Sequence, residues 1–260
     1  MNKETKIIIK AVEAGGEVLR KYFGQELKVV QKTLPADVYT KADIESEAAI
    51  LSIVTKELPG YNIFSEETGE IRRNSEYTLI IDPLDGSNNF VLGIPNFSAS
   101  IALLKNDEII ASAIYDPIQK KTYHAEKGNG AFCNKKKIEV NKISEWEKST
   151  VVYITHYTVN RRPHKLIIDR IENKKVKRVL RNWSPSLDFC MLASGKIEIL
   201  INNYSEIYDH IAGKLIAREA GARITDFSGK AEKNDMNSIF MATNGTKLHG
   251  ETVKLSLTNK

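Results

Sequence analysis

The chain begins with two stretches of helical periodicity and then changes to short apolar runs. Residues 7–22 and 41–58 carry apolar side chains three or four positions apart, a period that places them on one face of a helix. Short apolar runs of strand length follow, at residues 62–64, 77–81, 98–104, 109–115 and 121–125. A four-residue polar segment separates the third run from the fourth, which predicts an antiparallel hairpin. The first half is therefore predicted to pack two helices on a largely antiparallel sheet.

The remainder of the chain alternates between strand and helix patterns. Strands are predicted at residues 151–155, 177–180, 197–201, 223–225 and 239–242, and helices at residues 163–173, 187–193 and 210–220. The whole pattern predicts an α+β protein, and 260 residues is a length that one large domain can reach. We expect an N-terminal half, 1–145, and a C-terminal half, 146–260, that join into one compact unit.

Composition excludes several classes of protein. Hydrophobic residues make up 42% of the chain and charged residues 27%, a balance that argues against a disordered or fibrous chain. The net charge of +5 is too small for this length to indicate nucleic-acid binding. No apolar run reaches the roughly 20 residues that span a bilayer, and the first residues lack the apolar core of a secretory signal. We expect a cytoplasmic protein with no membrane contact, in which Cys133 and Cys190 are reduced thiols.

The segment Ile80–Phe90 combines a strand end with two aspartates. It runs Ile-Ile-Asp-Pro-Leu-Asp-Gly-Ser-Asn-Asn-Phe, so an apolar strand leads directly into Asp82 and Asp85. Mg²⁺ prefers carboxylate and carbonyl oxygens, and the proline stiffens the turn so that both aspartates and the Leu84 carbonyl can converge. The glycine and the hydroxyl of Ser87 can begin a helix, where exposed amides bind phosphate. A plain turn with a helix cap is the alternative for this segment alone.

Three further acidic elements lie elsewhere in the chain. Glu66 and Glu67 follow a predicted strand, and Asp43 lies where a loop enters the second helix. Asp209 precedes the helix predicted at residues 210–220, where it is well placed as the N-cap. Taken singly, these elements have simple explanations, namely a solvated glutamate pair and ordinary helix capping.

Together and in this order, the four elements resemble the inositol monophosphatase family, which includes the archaeal-type fructose-1,6-bisphosphatases. The family signature DPxDGTxNF matches residues 82–90, its Glu-Glu element matches residues 66–67, and its WD…AG element matches residues 208–213. The resemblance extends from the first helix to Gly229. It implies a layered αβαβα sandwich, a homodimer, and Mg²⁺-dependent hydrolysis of a small sugar or polyol phosphate such as inositol 1-phosphate or fructose 1,6-bisphosphate.

The resemblance also implies a role for each matching residue. Two or three Mg²⁺ ions are expected, one held by Glu66, Asp82 and the Leu84 carbonyl and another by Asp82, Asp85 and Asp209. Asp43 and Ser87 would orient and deprotonate the attacking water. Glu67 would lie near the metals, and the amides of Gly86 and Ser87 would hold phosphate oxygens. Cations neutralise the phosphate, acidify a bound water and stabilise the leaving alkoxide, so the protein supplies mainly positioning and charge.

Three positions depart from the family pattern. Ser87 stands where threonine is common and keeps the hydroxyl, so we expect activity to survive. Tyr208 replaces a common tryptophan, which should mainly alter packing. Asn202 matches a glutamate that contacts inositol hydroxyls in animal members, and the lost charge favours a broader sugar phosphatase.

Basic residues in the second half are candidates for a second phosphate. Family fructose-bisphosphatases bind the distant phosphate with arginines and a tyrosine, and guanidinium groups suit bidentate phosphate binding. The candidates here are Tyr157, Arg161, Arg162, Arg178 and Arg181. Arg181 is the strongest of them, because it lies just before the turn at residues 183–186.

Two other functions stay open. An adenosine 3′,5′-bisphosphate 3′-phosphatase would use the same metal site. A family member acting mainly as an RNA- or protein-binding module would instead use a basic face, such as residues 174–181. The presence of every expected metal side chain favours an enzyme that acts on a small phosphorylated substrate.

Overall fold

A computed structural model describes residues 1–32, 34, 36–155, 166–232 and 235–257. Its helices are α1 Lys3–Tyr22, α2 Lys41–Glu57, α3 Ser87–Val91, α4 Leu166–Glu172, α5 Pro185–Ala193, α6 Ile207–Glu219 and α7 Lys247–Leu257. Its strands are β1 Val30–Gln31, β2 Val38–Tyr39, β3 Asn62–Ser65, β4 Gly69–Ile71, β5 Tyr77–Asp85, β6 Ser98–Lys105, β7 Glu108–Asp116, β8 Lys121–Glu126, β9 Ala131–Cys133, β10 Lys136–Ile138, β11 Thr150–Thr155, β12 Arg178–Leu180, β13 Ile199–Asn203, β14 Arg223–Thr225 and β15 Ile239–Thr243. Cys133 and Cys190 are free thiols, as predicted. Within these ranges, no helix is long and apolar enough to cross a membrane.

The first half folds into an eight-stranded sheet with the order β10-β9-β8-β7-β6-β5-β3-β4. Neighbouring strands run antiparallel, except that β3 and β5 run parallel. The predicted hairpin is confirmed, since β6 and β7 pair up to Lys105 and Glu108. Asn106 and Asp107 connect them with φ angles of 48° and 65°, the left-handed backbone that a tight two-residue turn requires.

The second half forms a five-stranded sheet with the order β12-β11-β13-β15-β14. β11 runs parallel to both of its neighbours, whereas β15 runs antiparallel to β13 and β14. Side chains along β11 alternate between two hydrophobic clusters: Val152 and Ile154 pack in one, and Val151 and Tyr153 pack in the other. Both faces of this sheet are therefore buried.

Three hydrophobic clusters separate five layers of secondary structure. The first cluster lies between α1, α2 and one face of the large sheet. The second joins the opposite face of that sheet, through α5 and α6, to the small sheet. The third lies between the small sheet and the outer helices α4 and α7. The order is helix, sheet, helix, sheet, helix, so the α+β class and the layered αβαβα sandwich are confirmed.

The beginning of α6 differs from the prediction. The helix starts at Ile207, and its N-cap is Glu206, so the prediction that Asp209 is the N-cap is wrong. Asp209 lies in the first turn, where its Oδ2 accepts the Glu206 amide at 2.8 Å. A carboxylate can begin a helix either as the cap itself or three residues after the cap, where it accepts the amide of the cap residue, so two starting points fitted the sequence.

Candidate active site

A bulge in β5 places Asp82 and Asp85 on the same face of the large sheet. Residues three apart on a regular strand point to opposite faces. Asp82 pairs with Ser100 and Asp85 with Ser98, and the register shifts between them, so three steps along β5 oppose two along β6. The intervening proline fits a bulge because it has no amide to donate to the ladder. Asp82 also lies two residues after Ile80, which packs in the cluster that contains α5 and α6.

Helix α6 brings a third carboxylate to this face. Asp209 lies in the first turn of α6, beside the end of α5 that carries Ser186, whose hydroxyl donates to the Asp209 carbonyl oxygen at 3.3 Å. One carboxylate oxygen from each of Asp82, Asp85 and Asp209 lies within 4.8 Å of the other two. The bulged strand and the distant helix therefore form a single acidic cluster, the carboxylate triad.

Asp82 and Asp85 are buried and Asp209 is partly buried, and the three carboxylates repel one another. Burial raises the pKa of Asp85 to about 7. Burial also raises the pKa of Asp82 and of Asp209 well above the ordinary range, and the neighbouring carboxylates add to both shifts. Three carboxyl groups in this environment cannot all ionise without a compensating positive charge.

The two oxygens of Asp85 have different surroundings. Oδ2 accepts hydrogen bonds from the hydroxyls of Ser98 and Ser184 at 3.1 and 2.5 Å and from the Ser186 amide at 3.2 Å. Oδ1 is buried and has no hydrogen-bond partner among the described residues. A buried carboxylate oxygen without a donor is costly. Hard oxygen donors with one oxygen left unsatisfied are the ligand set of a divalent cation such as Mg²⁺, so the residues fit this ion.

Glu66 interacts with the carboxylate triad and shares a lysine with Glu67. Lys32 Nζ lies 2.9 Å from Glu66 Oε1 and 2.5 Å from Glu67 Oε1. Burial lowers the pKa of Lys32, but the two glutamates outweigh it and raise that pKa overall. Burial raises the pKa of Glu66 to about 7 against the opposing effect of Lys32, and Glu66 in turn raises the pKa of Asp82. Glu66 therefore belongs to the same electrostatic site, with Lys32 as its cation.

Asp43 and Ser87 are brought together, as the resemblance implied. Ser87 Oγ lies 3.1 Å from Asp43 Oδ1 and 3.0 Å from the Leu84 carbonyl oxygen. The other oxygen of Asp43 accepts the amide and the hydroxyl of Thr40, both at 2.8 Å, in a capping box that begins α2. Burial raises the pKa of Asp43, and the hydrogen bonds from Thr40 and Ser87 oppose it. The helix start therefore fixes the orientation of this carboxylate.

Sequence reasoning missed Glu47, one helical turn after Asp43. It is buried and accepts the Ser65 hydroxyl, the Glu67 amide at 3.2 Å and the Thr68 amide at 3.0 Å. Glu47 thus holds the turn that presents the two glutamates. The available signal was the spacing, because residues four apart lie on one helix face. Lys32 and Ser184 were missed as well, since each meets its partner only through the tertiary fold.

Gly86 lies at the start of α3 with a φ of +91°. A Cβ at this position would lie 3.0 Å from the Asn96 carbonyl oxygen and 3.2 Å from the Trp183 carbonyl oxygen. Such contacts are tighter than an alanine can occupy without a shift, and the left-handed backbone also favours glycine. The backbone of Gly86 therefore approaches two other loops closely, one residue after Asp85.

The predicted substrate-binding residues have different surroundings. Asn202 is fully buried in β13 and donates its amide hydrogens to Ser205 Oγ at 3.0 Å and to the Ser238 carbonyl at 2.9 Å. Arg178 and Arg181 are exposed. Tyr157, Arg161 and Arg162 lie outside the described residues. The fold therefore brings together Asp82, Asp85 and Asp209, with Gly86 and Ser87 directly after Asp85 in the chain, whereas the side-chain amide of Asn202 is hydrogen-bonded within the fold.

Comparisons with known proteins agree with this geometry. The family model described as the inositol monophosphatase family matches residues 1–258. A fructose-1,6-bisphosphatase/inositol-1-monophosphatase from Thermotoga maritima is 34% identical over 250 residues, covering 95% of this chain and 93% of that protein. The Nus factor SuhB of Haemophilus influenzae is 32% identical over 233 residues, covering 87% and 86%.

A solved structure shares the whole fold. The extragenic suppressor protein suhB from Bartonella henselae matches with a TM-score of 0.92 and 27% identity, and all of both chains is covered. The match of the family model over nearly the full length and the carboxylate triad at its signature residues lead to one conclusion. This chain belongs to the inositol monophosphatase family.

Proposed function

We propose that this chain is a Mg²⁺-dependent phosphomonoesterase that hydrolyses small sugar or polyol phosphates. Inositol 1-phosphate and fructose 1,6-bisphosphate are the leading substrates, because relatives with these activities in their names cover most of the chain. One observation carries the proposal: the buried Asp82 and Asp85 and the partly buried Asp209 present oxygens within 4.8 Å of one another. Carboxylates that lie this close together and largely out of solvent need a positive charge to offset their repulsion, and a divalent cation supplies it.

The carboxylates would hold two or three ions beside the phosphate. The proposed ligands are Glu66, Asp82, the Leu84 carbonyl, Asp85 and Asp209. Magnesium at these oxygens supplies charge neutralisation and acidifies a water molecule. Glu67 shares Lys32 with Glu66, so its proposed part is to set the charge beside the ions. The main-chain amides of Gly86 and Ser87 would bind phosphate oxygens where α3 begins.

The pair Asp43 and Ser87 would orient the attacking water. A hydroxyl has one proton to donate, so donation from Ser87 Oγ to Asp43 Oδ1, at 3.1 Å, leaves Ser87 Oγ free to accept a proton from water. The water proton then passes to Ser87 as the Ser87 proton passes to Asp43. Burial raises the pKa of Asp43, which favours this carboxylate as the final acceptor.

Exposed arginines would recognise a second phosphate. Arg181 has its guanidinium carbon 5.2 Å from the centre of the Tyr153 ring, and this contact restricts the side chain. Arg178 lies at the start of β12 and is also exposed. With Tyr157, these residues are our candidates for the distant phosphate of fructose 1,6-bisphosphate. Asn202 is not included, because its amide hydrogens are used within the fold.

An initial-rate comparison tests the proposal. Phosphate release from inositol 1-phosphate, fructose 1,6-bisphosphate and adenosine 3′,5′-bisphosphate is measured with Mg²⁺ and with EDTA. We expect turnover of the first two that requires Mg²⁺ and is abolished by Asp85→Asn. Asp107→Asn, in the exposed β6–β7 turn, is the matched control and should retain full activity. Full activity of Asp85→Asn would refute the metal site, and preference for the adenosine substrate would establish the nucleotide phosphatase instead.

A homodimer is the proposed assembly. Val91, Leu92 and Ile94 are exposed by 40, 72 and 44%, and these neighbouring residues give the end of α3 an apolar surface. Such a surface commonly marks a protein contact. Light scattering should give twice the chain mass for the parent, and Leu92→Glu should shift the mass toward that of the monomer. An unchanged mass for this variant would exclude the surface.

A binding module is the alternative function. It is favoured by the relatives named Nus factor SuhB and by the basic residues between 174 and 181. RNA binding that survives Asp85→Asn, in a protein that releases no phosphate from any substrate, would establish it.

A further inference from the structure

Helix α2 carries three buried polar side chains on one face. Asp43, Ser46 and Glu47 are 1, 0 and 4% exposed, and residues three and four positions apart are neighbours on a helix surface. The mechanism proposed above uses only Asp43. A buried polar side chain is costly unless it is hydrogen-bonded, so the partners of Ser46 and Glu47 indicate what this face of α2 does.

Ser46 bonds to the bulge of β5. A serine inside a helix commonly donates its hydroxyl to the carbonyl four residues earlier in the same helix. Ser46 Oγ instead donates to the Pro83 carbonyl oxygen at 2.7 Å, and Pro83 lies between the two aspartates of the bulge. The register of β5 on β6 shifts between Asp82 and Asp85, so α2 holds the backbone where the ladder is irregular.

The peptide between Pro83 and Leu84 connects this contact to Asp82. The carbonyl group of Pro83 and the amide group of Leu84 belong to one planar unit. The Leu84 amide donates to Asp82 Oδ1 at 3.0 Å. The peptide is therefore held between Ser46 and Asp82, and its orientation influences that of a carboxylate that is proposed to bind both ions.

Gly15 in α1 leaves room for Ser46. A Cβ at Gly15 would lie 2.8 Å from Ser46 Oγ and 2.8 Å from Ile50 Cδ1, closer than non-bonded atoms can pack without a shift. A glycine inside a helix lowers its stability relative to alanine. The absent side chain leaves the space that the Ser46 hydroxyl occupies, so the close approach of α1 and α2 is compatible with the bond to the bulge.

The next residue of α2 holds the turn that carries Glu66. Glu47 Oε1 accepts the amides of Glu67 and Thr68 at 3.2 and 3.0 Å and the hydroxyl of Ser65. These donors lie on both sides of Glu66 in the chain. Two adjacent residues of one helix are therefore attached to the two segments whose carboxylates are proposed to bind the same ion.

We propose that Ser46 and Glu47 are positioning residues that set the separation between Glu66 and Asp82 and thereby the affinity of the site for Mg²⁺. This inference rests on the proposed function, because those two carboxylates are proposed to share one ion. Ligands that are already in place need little rearrangement when the ion binds. Loss of either contact should therefore weaken ion binding while leaving turnover at saturating Mg²⁺ nearly unchanged.

Calorimetric titration with Mg²⁺ alone tests the role of Ser46. We expect Ser46→Ala to raise the Kd for Mg²⁺ about fivefold, the effect of losing one hydrogen bond. In phosphate release from inositol 1-phosphate, the half-saturating Mg²⁺ concentration should rise equally, with kcat within about twofold of the parent. Ser52→Ala is the matched control, because it removes an exposed hydroxyl of the same helix that donates to the Ala49 carbonyl at 2.8 Å, and it should change neither value. An unchanged Kd for Ser46→Ala would overturn the proposal.

Two substitutions of Glu47 separate position from charge. Glu47→Ala should raise the Kd for Mg²⁺ about tenfold, as expected for loss of a residue that orients a ligand. Glu47→Gln retains an acceptor oxygen of the same reach and should stay within about threefold of the parent. Equal weakening by both substitutions would show that the charge of Glu47 matters and not its hydrogen bonds, and would overturn its positioning role. Glu45→Ala is the control, since it removes a carboxylate of the same helix that accepts the Tyr22 hydroxyl at 2.7 Å.

The same titrations distinguish this inference from the proposed function. A parent that binds no Mg²⁺ would refute the proposed function and the inference with it. A parent that binds Mg²⁺ with the same Kd as Ser46→Ala would refute the inference alone. Melting temperatures show whether each variant is folded, and if Glu47→Ala is not, the comparison of Ser46→Ala with Ser52→Ala decides.

Discussion

Replacing Asp85 with asparagine should stabilise the metal-free protein at alkaline pH while abolishing its turnover. Asp85 Oδ2 accepts hydrogen bonds from the hydroxyls of Ser98 and Ser184 and from the Ser186 amide. An asparagine carbonyl oxygen can accept the same three bonds. The substitution therefore preserves these hydrogen bonds and removes a buried charge, which also contributes to the raised pKa of Asp82 and of Asp209.

The magnitude follows from the pKa of Asp85, which burial raises from 3.8 to about 7. The metal-free folded chain retains this proton to about pH 7, whereas the unfolded chain loses it near about pH 4. The contribution of the neutral carboxyl to stability is therefore fully present below about pH 4 and is lost as the pH rises through about 7. At about pH 8 the loss amounts to about 4 kcal/mol, of which about 3 kcal/mol arises above about pH 5.

Urea unfolding in EDTA at about pH 5 and about pH 8 measures this difference. Burial lowers the pKa of His210 and of His249, which gives these groups the opposite pH dependence. Both proteins carry them, so their effect cancels when Asp85→Asn is compared with the parent at each pH. We expect the variant to gain about 3 kcal/mol relative to the parent between the two pH values.

Two outcomes would refute this reasoning. An equal stability difference at both pH values would show that Asp85 does not hold a proton in the folded, metal-free chain. Mg²⁺ should stabilise the parent and not the variant, because an ion that binds only the folded state stabilises it by mass action. A parent that Mg²⁺ leaves unchanged would contradict the metal site. Asp107→Asn is the control for the loss of one aspartate at an exposed position and should show neither effect.

Three further substitutions test separate parts of the site. Ser87→Ala should lower kcat about a hundredfold with little change in KM, whereas Ser87→Thr should remain active. Equal activity of Ser87→Ala and the parent in a phosphate-release assay would exclude proton transfer through Ser87 to Asp43. Gly86→Ala should lower the free energy of unfolding by about 2 kcal/mol, because the backbone at this position is left-handed and a Cβ would lie 3.0 Å from the Asn96 carbonyl oxygen. A free energy of unfolding in urea equal to that of the parent would contradict this prediction. Arg181→Ala should raise KM about tenfold for fructose 1,6-bisphosphate and leave inositol 1-phosphate unaffected, and equal initial-rate effects on both substrates would argue against a second-phosphate contact.

Elements with strong periodicity were predictable from the sequence. Helices α1 and α2 and the β6–β7 hairpin follow from local apolar spacing and a short polar turn. The convergence of Asp82 and Asp85 could also be predicted, because only two residues separate them and a proline stiffens the turn. The bulge that turns both to the same face was not predicted, since it depends on pairing with β6.

Contacts between distant segments were beyond local reasoning. The meeting of Asp209 with the bulged strand was inferred only from the family resemblance, because nothing in the spacing indicates that α6 packs on the large sheet. Glu47 looks like any polar helix residue until the turn after Glu66 folds onto it. The ion pairs of Lys32 form only when the segment before α2 lies over that same turn. Helix α7 was missed for a similar reason, since it is stabilised by burial of Leu248 and other residues in the third cluster.

The central helical layer determines when the site comes into existence. α5 and α6 are made after residue 145, yet they cover the sheet formed by the earlier residues. A ribosome-bound chain that ends before α6 would carry Asp82 and Asp85 without Asp209, so it would lack one corner of the ion site. If these three aspartates hold the ion as proposed, divalent binding by nascent chains of increasing length should appear only once α6 has emerged and docked.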